Sequence, residues 1–175
     1  MSGSRPDRGF EEFALARTPH LYRAAWLLCG DRHQAEDLVQ ETLAKVYVRM
    51  GRRFAGRVEN PAAYAQTALV RTFLSHRRRR SSHERPYADP PDRPDATGLR
   101  LALLDALAGL APADRAVLVL RYLEDLSVEE VAARLEVSPG AVRNRSMRAL
   151  ARLRPLLDPS LANPRPSGWD REEQS

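Results

Sequence analysis

Five arginines and no acidic residue fall between Arg143 and Arg154, and six basic residues against a single acid fall between Arg71 and Arg85. Neutralisation of phosphate is local, so two short basic blocks on one chain imply two separate contacts with a polyanion. With Val142 as the origin and about 100° per residue, Ala149, Leu150, Leu153, Leu156 and Leu157 share one side of a helix. Arg143, Asn144, Met147 and Arg148 project from the other. Arginine presents two parallel donors to a guanine edge and asparagine matches adenine in the same bidentate way, so these positions suit a major groove. Arg145 and Arg152 lie on the flank, where phosphate contact is more natural.

The earlier block has a different chemistry. Thr67, Arg71, Ser75 and Arg78 share the face opposite an apolar stripe, and Tyr64 stands at the helix entry. A basic helix bordered by a loop can hold a phosphodiester and accept a base that has left its stack. A third constellation has the opposite sign: Asp37 and Glu41, four residues apart, lie nearly opposite the apolar stripe of their helix, with Gln40 and Glu36 beside them. Such a face repels DNA, so it meets either solvent or a basic partner.

Composition bounds what else the chain can be. It has 175 residues, 28 Lys+Arg against 23 Asp+Glu for a formal charge of +5, and 43% apolar residues, which is a globular rather than a disordered balance. No apolar run approaches the roughly 18 residues of a membrane span. The opening MSGSRPDRGF lacks the apolar centre of a signal peptide, so a cytoplasmic protein without membrane insertion is expected. The single cysteine, Cys29, excludes an internal disulfide and reads as a core thiol. His20, His33, His76 and His83 are scattered, and neither a nucleophilic triad, a metal-ligand spacing nor a glycine-rich phosphate loop is seen. No catalytic residue, metal or cofactor is expected.

The elements that must position these groups are all helical. A first helix is predicted over Glu11 to Leu28 and stopped by Gly30. Asp31 and Gln34 have the form of a capping box before the stripe Ala35, Leu38, Val39, Thr42, Leu43, Val46 and Met50. Asn60-Pro61 caps a third helix with the stripe Ala62, Ala65, Leu69, Thr72 and Phe73. Pro86, Pro90, Pro91 and Pro94 mark a flexible linker over 81–97. Beyond it a helix is predicted over Leu99 to Leu107, and Pro112 opens a second carrying Val117, Leu118, Leu120 and Tyr122. Ser127-Val-Glu-Glu130 is a capping box for a third, and Ser138-Pro139 opens a fourth after the short join Glu136-Val137. The last pair has helix-turn-helix spacing. The expected class is all-α, with two small helical domains over 10–80 and 98–157, and with disordered ends over 1–9 and 158–175.

The segments Asp37-Leu-Val-Gln-Glu41, Asn60-Pro-x-x-Tyr64, Leu126-Ser-Val-Glu-Glu-Val-Ala-x-x-Leu135 and Ser138-Pro-Gly-Ala-Val-Arg143 stand in an order that resembles a bacterial RNA polymerase sigma factor. The resemblance is to the extracytoplasmic-function (ECF) group, which keeps sigma domains 2 and 4 alone. The ending Arg148-Ala-Leu-Ala-Arg-Leu-Arg154, with Ser146 before it, is similar to the SigE-like actinobacterial branch. It implies that 10–80 is domain 2 and 98–157 domain 4, and that Asp37, Gln40 and Glu41 face the β′ clamp helices of core RNA polymerase, with the β flap as a further contact. It implies that Asn60, Thr67, Arg71, Ser75 and Arg78, with the loop from Phe54, meet the −10 promoter element. Arg143, Arg145, Asn144, Met147, Arg148 and Arg152 would serve the −35 element. Promoter DNA and an anti-sigma factor are the other partners it implies, and promoter choice, not catalysis, is the role. Against the pattern of that group, Arg71 stands where many members have Asn, Glu136 where a turn glycine is usual, and Ser146 where Leu or Ile is common. A polymerase-independent helix-turn-helix repressor is the rival reading of the same C-terminal half.

Overall fold

A computed structural model describes residues 5–51, 59–81 and 98–157. The proline-rich segment 82–97, the loop residues Phe54 to Val58 and the tail 158–175 lie outside the described residues, and with them the linker and tail expectations. Seven α-helices and one π-helical turn occur among the described residues: α1 (Arg5–Cys29), α2 (Arg32–Gly51), α3 (Pro61–Ser81), α4 (Gly98–Ala108), α5 (Pro112–Leu118), the π turn (Val119–Leu123), α6 (Val128–Leu135) and α7 (Pro139–Leu157).

Local signals set most of the boundaries. Gly30 ends α1 with a φ of 67°, a conformation glycine adopts without cost, and its N–H donates to the Trp26 carbonyl. Asp31 caps α2 by accepting from the Gln34 N–H at 2.8 Å, and Asn60 caps α3 through the Ala63 N–H at 2.9 Å. The Gln34 side chain does not complete a capping box; its carbonyl oxygen accepts from Arg80 at 2.9 Å. At α6 both halves of the box are made, Glu130 N–H to Ser127 Oγ at 3.1 Å and Ser127 N–H to Glu130 at 2.7 Å. Those bonds hold the Glu130 carboxyl below its ordinary range. Ser138 then caps α7 through the Ala141 N–H at 3.1 Å.

The structure corrects three expectations. The first helix starts at Arg5 rather than Glu11, so residues 5–9 are helical instead of disordered; Pro6 is tolerated there because first-turn N–H groups have no partner in the helix anyway. The helix from Pro112 does not run on as α but widens into the π turn, and Tyr122 on it is exposed. Leu150, on the apolar side of α7 by its angle, is also exposed, while Ala149 and Leu153 on that side are buried with Leu107, Leu110 and Leu118.

In the N-terminal half, Leu21, Ala24, Ala25 and Leu28 of α1 bury against Leu38, Val39, Val46 and the α3 residues Leu69, Val70 and Phe73. In the C-terminal half, α4, α5 and α6 all pack on α7. The two halves are not separate bodies: Val117, Leu120, Val131 and Val142 join the same buried cluster as the N-terminal helices. α1 touches α4 and α5, and α3 touches α5 and α6.

Ser146 is buried on α7 and its hydroxyl has no hydrogen-bond partner among the described residues. A buried hydroxyl without a partner costs about 1–3 kcal/mol. Ser146→Ala is therefore expected to raise the thermal midpoint by roughly 2–4 °C per kcal/mol recovered, measured by calorimetry. An unchanged or lower midpoint would mean that the hydroxyl is satisfied in solution.

Candidate functional site

On α7 the capped first turns present Arg143, Asn144 and Met147 outward, all exposed. Arg143 is held by an exposed pair with Glu129 of α6 at 3.0 Å, an interaction weak enough for a phosphate or base to displace. Arg152 is also exposed and Arg145 is half-buried on the flank. Arg148 differs from the expectation. Its side chain stays largely exposed, but its guanidinium makes two bonds, at 2.8 and 3.1 Å, to the buried carboxylate of Asp114 on α5. The Asp114 hydrogen bond raises the Arg148 pKa further. This fork is committed to Asp114, so of the outward residues of α7's first turns Arg143, Asn144 and Met147 are the ones without a side-chain bond to a buried group among the described residues. Arg148→Ala is expected to lower the thermal midpoint, with Asp114→Asn/Arg148→Ala recovering part of the loss; equal midpoints for wild type and the single variant would return Arg148 to the outer face.

On α3 the expected residues do line one face, but they differ in availability. Thr67 donates to the Ala63 carbonyl at 2.9 Å, Ser75 accepts from Arg79 at 3.1 Å, Arg78 is exposed, and Asn60 is occupied as the cap. Arg71 donates to the Arg134 carbonyl and to Glu136, each at 2.9 Å, so it touches the turn between α6 and α7. Glu136 has the positive φ, 56°, that strains a residue with a side chain. The Val137 N–H closes back on the Ala132 carbonyl at 3.0 Å.

On α2, Asp37 and Gln40 are exposed, and Glu41 is half-buried at the edge of that face. Glu41 is bonded by Lys45 at 2.8 Å and by His76 at 2.8 Å, and the Lys45 hydrogen bond leads in drawing its carboxyl below the ordinary carboxylate range. Asp37 and Gln40 thus form the available part of the acidic face.

Sequence patterns miss the groups that join the two halves. Arg115 is buried, donates to the carbonyls of Leu28 and, at 2.9 and 3.2 Å, of Ala108 and Leu110, and lies 5.9 Å from the centre of the Phe73 ring. Glu124 sits between His20 of α1, 2.9 Å away, and Gln66 of α3, while Arg134 donates to Gln66 at 2.9 Å. The one available signal is charge interrupting an apolar stretch at Asp114-Arg115.

Burial pushes the Cys29 thiol up to about 11. Its thiolate is the nucleophile, so at pH 8 a disulfide reagent should react with the folded chain far more slowly than with the denatured one, the rate rising about tenfold per pH unit. Equal rates would mean an open site.

Residues 14–83 match the family description Sigma-70 region 2, and residues 100–153 match Sigma-70, region 4. The chain is 39% identical to an RNA polymerase sigma-E factor of Streptomyces coelicolor, over 83% of this chain and 84% of that protein. It is 32% identical to the ECF RNA polymerase sigma factor SigE of Mycolicibacterium smegmatis, covering 85% of this chain and 61% of that one. Among solved structures, the complex of the sigma factor RpoE with the anti-sigma factor NepR from Bartonella quintana aligns with a TM-score of 0.64 at 26% identity, over 86% of this chain and 97% of that one. Both halves match regions of one kind of polymerase subunit, which sets aside the polymerase-independent repressor. With acidic and basic faces on separate helices of a two-part helical fold, the chain belongs to the ECF group of bacterial RNA polymerase sigma factors.

Proposed function

We propose that the exposed Asp37 and Gln40 of α2, with Glu41 at their edge, dock on the β′ clamp helices of core RNA polymerase, that domain 4 meets the β flap, and that the two basic faces then engage the promoter. The α3 face with Asn60, Thr67, Arg71, Ser75 and Arg78 takes the −10 element and assists strand opening. Arg143, Asn144 and Met147 read the −35 element, with Arg145 and Arg152 on phosphates. The observation that carries this reading is that α2 presents Asp37 and Gln40 together on an exposed face with Glu41 at its edge, whereas the exposed charged side chains of α3 and α7 are all arginine. A chain that bound DNA alone would have no use for an acidic face beside its contacts. The protein supplies promoter choice in the cytoplasm without a catalytic residue, metal or cofactor of its own, and an anti-sigma protein is a further partner by analogy with the RpoE–NepR complex.

Run-off transcription with purified core polymerase on genomic fragments tests the reading. Transcripts with defined starts that depend on this protein are expected; their absence, together with no binding to core, overturns it. With a promoter in hand, Arg143→Ala should cost about 1–3 kcal/mol of discrimination at one −35 base pair. Promoter binding by the complex should weaken with salt by about 0.9 in log K per log unit for each phosphate neutralised.

A further inference from the structure

We propose that the turn between α6 and α7 is a latch that holds Arg71 away from nucleic acid in the free protein. The proposal rests on the reading of α3 as a DNA-binding face. Arg71 projects from the middle of α3, and two of its donors are taken by the turn: Nε by the Arg134 carbonyl and Nη2 by the Glu136 carboxylate, each at 2.9 Å. The partners lie 63 and 65 residues along the chain, so this is a contact between the two halves rather than a local one. Beside it, Arg134 donates to Gln66, and Gln66 to Glu124, so a second α3 side chain, on the side facing the C-terminal half, is tied to that half as well.

Glu136 holds a left-handed conformation, φ 56° and ψ 46°, that disfavours any residue with a Cβ except asparagine and aspartate. The strained residue is thus also the one whose carboxylate meets a guanidinium of the other half, and such strain persists only where the surrounding structure holds it. The guanidinium donors on Glu136 and the Arg134 carbonyl cannot also serve a phosphate or a base. Turn and DNA therefore compete for Arg71. The competition is winnable, since Arg71 and Glu136 are both exposed and such pairs are weak. The interface beside them is open rather than close-packed: a cleft of about 630 Å³ is lined by Arg71, Leu74, Arg77, Ala113, Val137 and Arg145. Free protein then holds its −10 contact in reserve, and DNA delivered by polymerase displaces the turn.

The test is a double-mutant cycle on the full chain at low salt, with a fluorescein-labelled single-stranded oligonucleotide as the probe. Glu136→Asn removes the reach of the carboxylate and keeps a residue that tolerates the left-handed turn. It should tighten binding of the free protein by roughly two- to fivefold, the range by which releasing a weakly held competent state raises apparent affinity. Because the gain comes from a freed Arg71, it should vanish when Glu136→Asn is made in an Arg71→Ala background. An equal gain in that background would mean that only net charge had changed, and no gain in either would mean that the turn does not restrain Arg71; both results overturn the latch. Circular dichroism melts of each variant report whether the turn remains folded, and Glu136→Gln, which keeps the turn's length and strain, gives the same sign if the carboxylate is the cause. The cycle contains no polymerase, so its failure leaves run-off transcription by the wild type as an independent test of the sigma-factor reading.

Discussion

Arg115→Ala is expected to destabilise the protein by about 3–5 kcal/mol, the sum of buried carbonyls left without donors and a cavity, and a large part of the 5–15 kcal/mol that holds a typical domain folded. The guanidinium is buried where α1 ends, α4 turns and α5 begins, and it is the donor for the carbonyls of Leu28, Ala108 and Leu110. Leu28 and Ala108 stand in the last turns of α1 and α4, where carbonyls lack partners in the helix and carry the negative end of its dipole. Alanine removes the donors, leaves those oxygens away from water and opens a cavity against Phe73. Arg115→Lys keeps the charge but not the planar fork, so an intermediate loss is expected; the compact ammonium cannot span three acceptors set around a fork. Arg115→Met restores volume without donors and should stay close to alanine if the hydrogen bonds dominate. The measurement is urea denaturation of the three variants. Midpoints within experimental scatter of wild type would show that water reaches these carbonyls and that Arg115 is not the tie between the two halves.

Arg115 also marks where the legibility of the sequence ends. The helices are legible because their determinants are close in the chain. Asp31, Asn60, Ser127 and Ser138 each cap within three residues. The α2 stripe from Ala35 to Val46 is buried as its period requires. The outward placement of Asp37, Arg143, Asn144 and Met147 follows from the same geometry. What local patterns do not carry is every pairing across the chain. His20 meets Glu124 over 104 residues and Arg115 meets the Leu28 carbonyl over 87, and no short-range spacing encodes which carbonyl a buried guanidinium will find. Arg148 illustrates the same limit: its outward angle on α7 is legible, but its partner Asp114 lies on another helix. Leu150 shows the converse, since apolar character alone places it inside while only Ala149 and Leu153 beside it are buried. The π turn at Val119–Leu123 has no proline or glycine to announce it; its signature is the Glu124 N–H bonding back to the Val119 carbonyl at 3.2 Å.

Asp37→Arg should weaken binding to core RNA polymerase by at least about tenfold, which corresponds to about 1.4 kcal/mol and lies at the low end for close interfacial charge pairs. Asp37 is exposed on α2 beside exposed Gln40, and no hydrogen bond or ion pair of the fold depends on it among the described residues. An exposed substitution of this kind alters stability by less than about 0.5 kcal/mol, so the melting curve should superimpose on wild type while the affinity falls. That separation matters, because Glu41 on the same face is bonded to Lys45 and His76 and its replacement would disturb α2 and α3 as well. Glu12→Arg makes the same change of net charge at an exposed site on α1 and should leave affinity within about twofold, which isolates position from overall charge. Salt gives a second signature. If Asp37 meets a basic surface, wild-type affinity declines between low and physiological ionic strength, and the variant's declines less because one attraction has become a repulsion that salt relieves. A variant that binds core as tightly as wild type would detach the acidic face of α2 from polymerase and leave it a solvated surface.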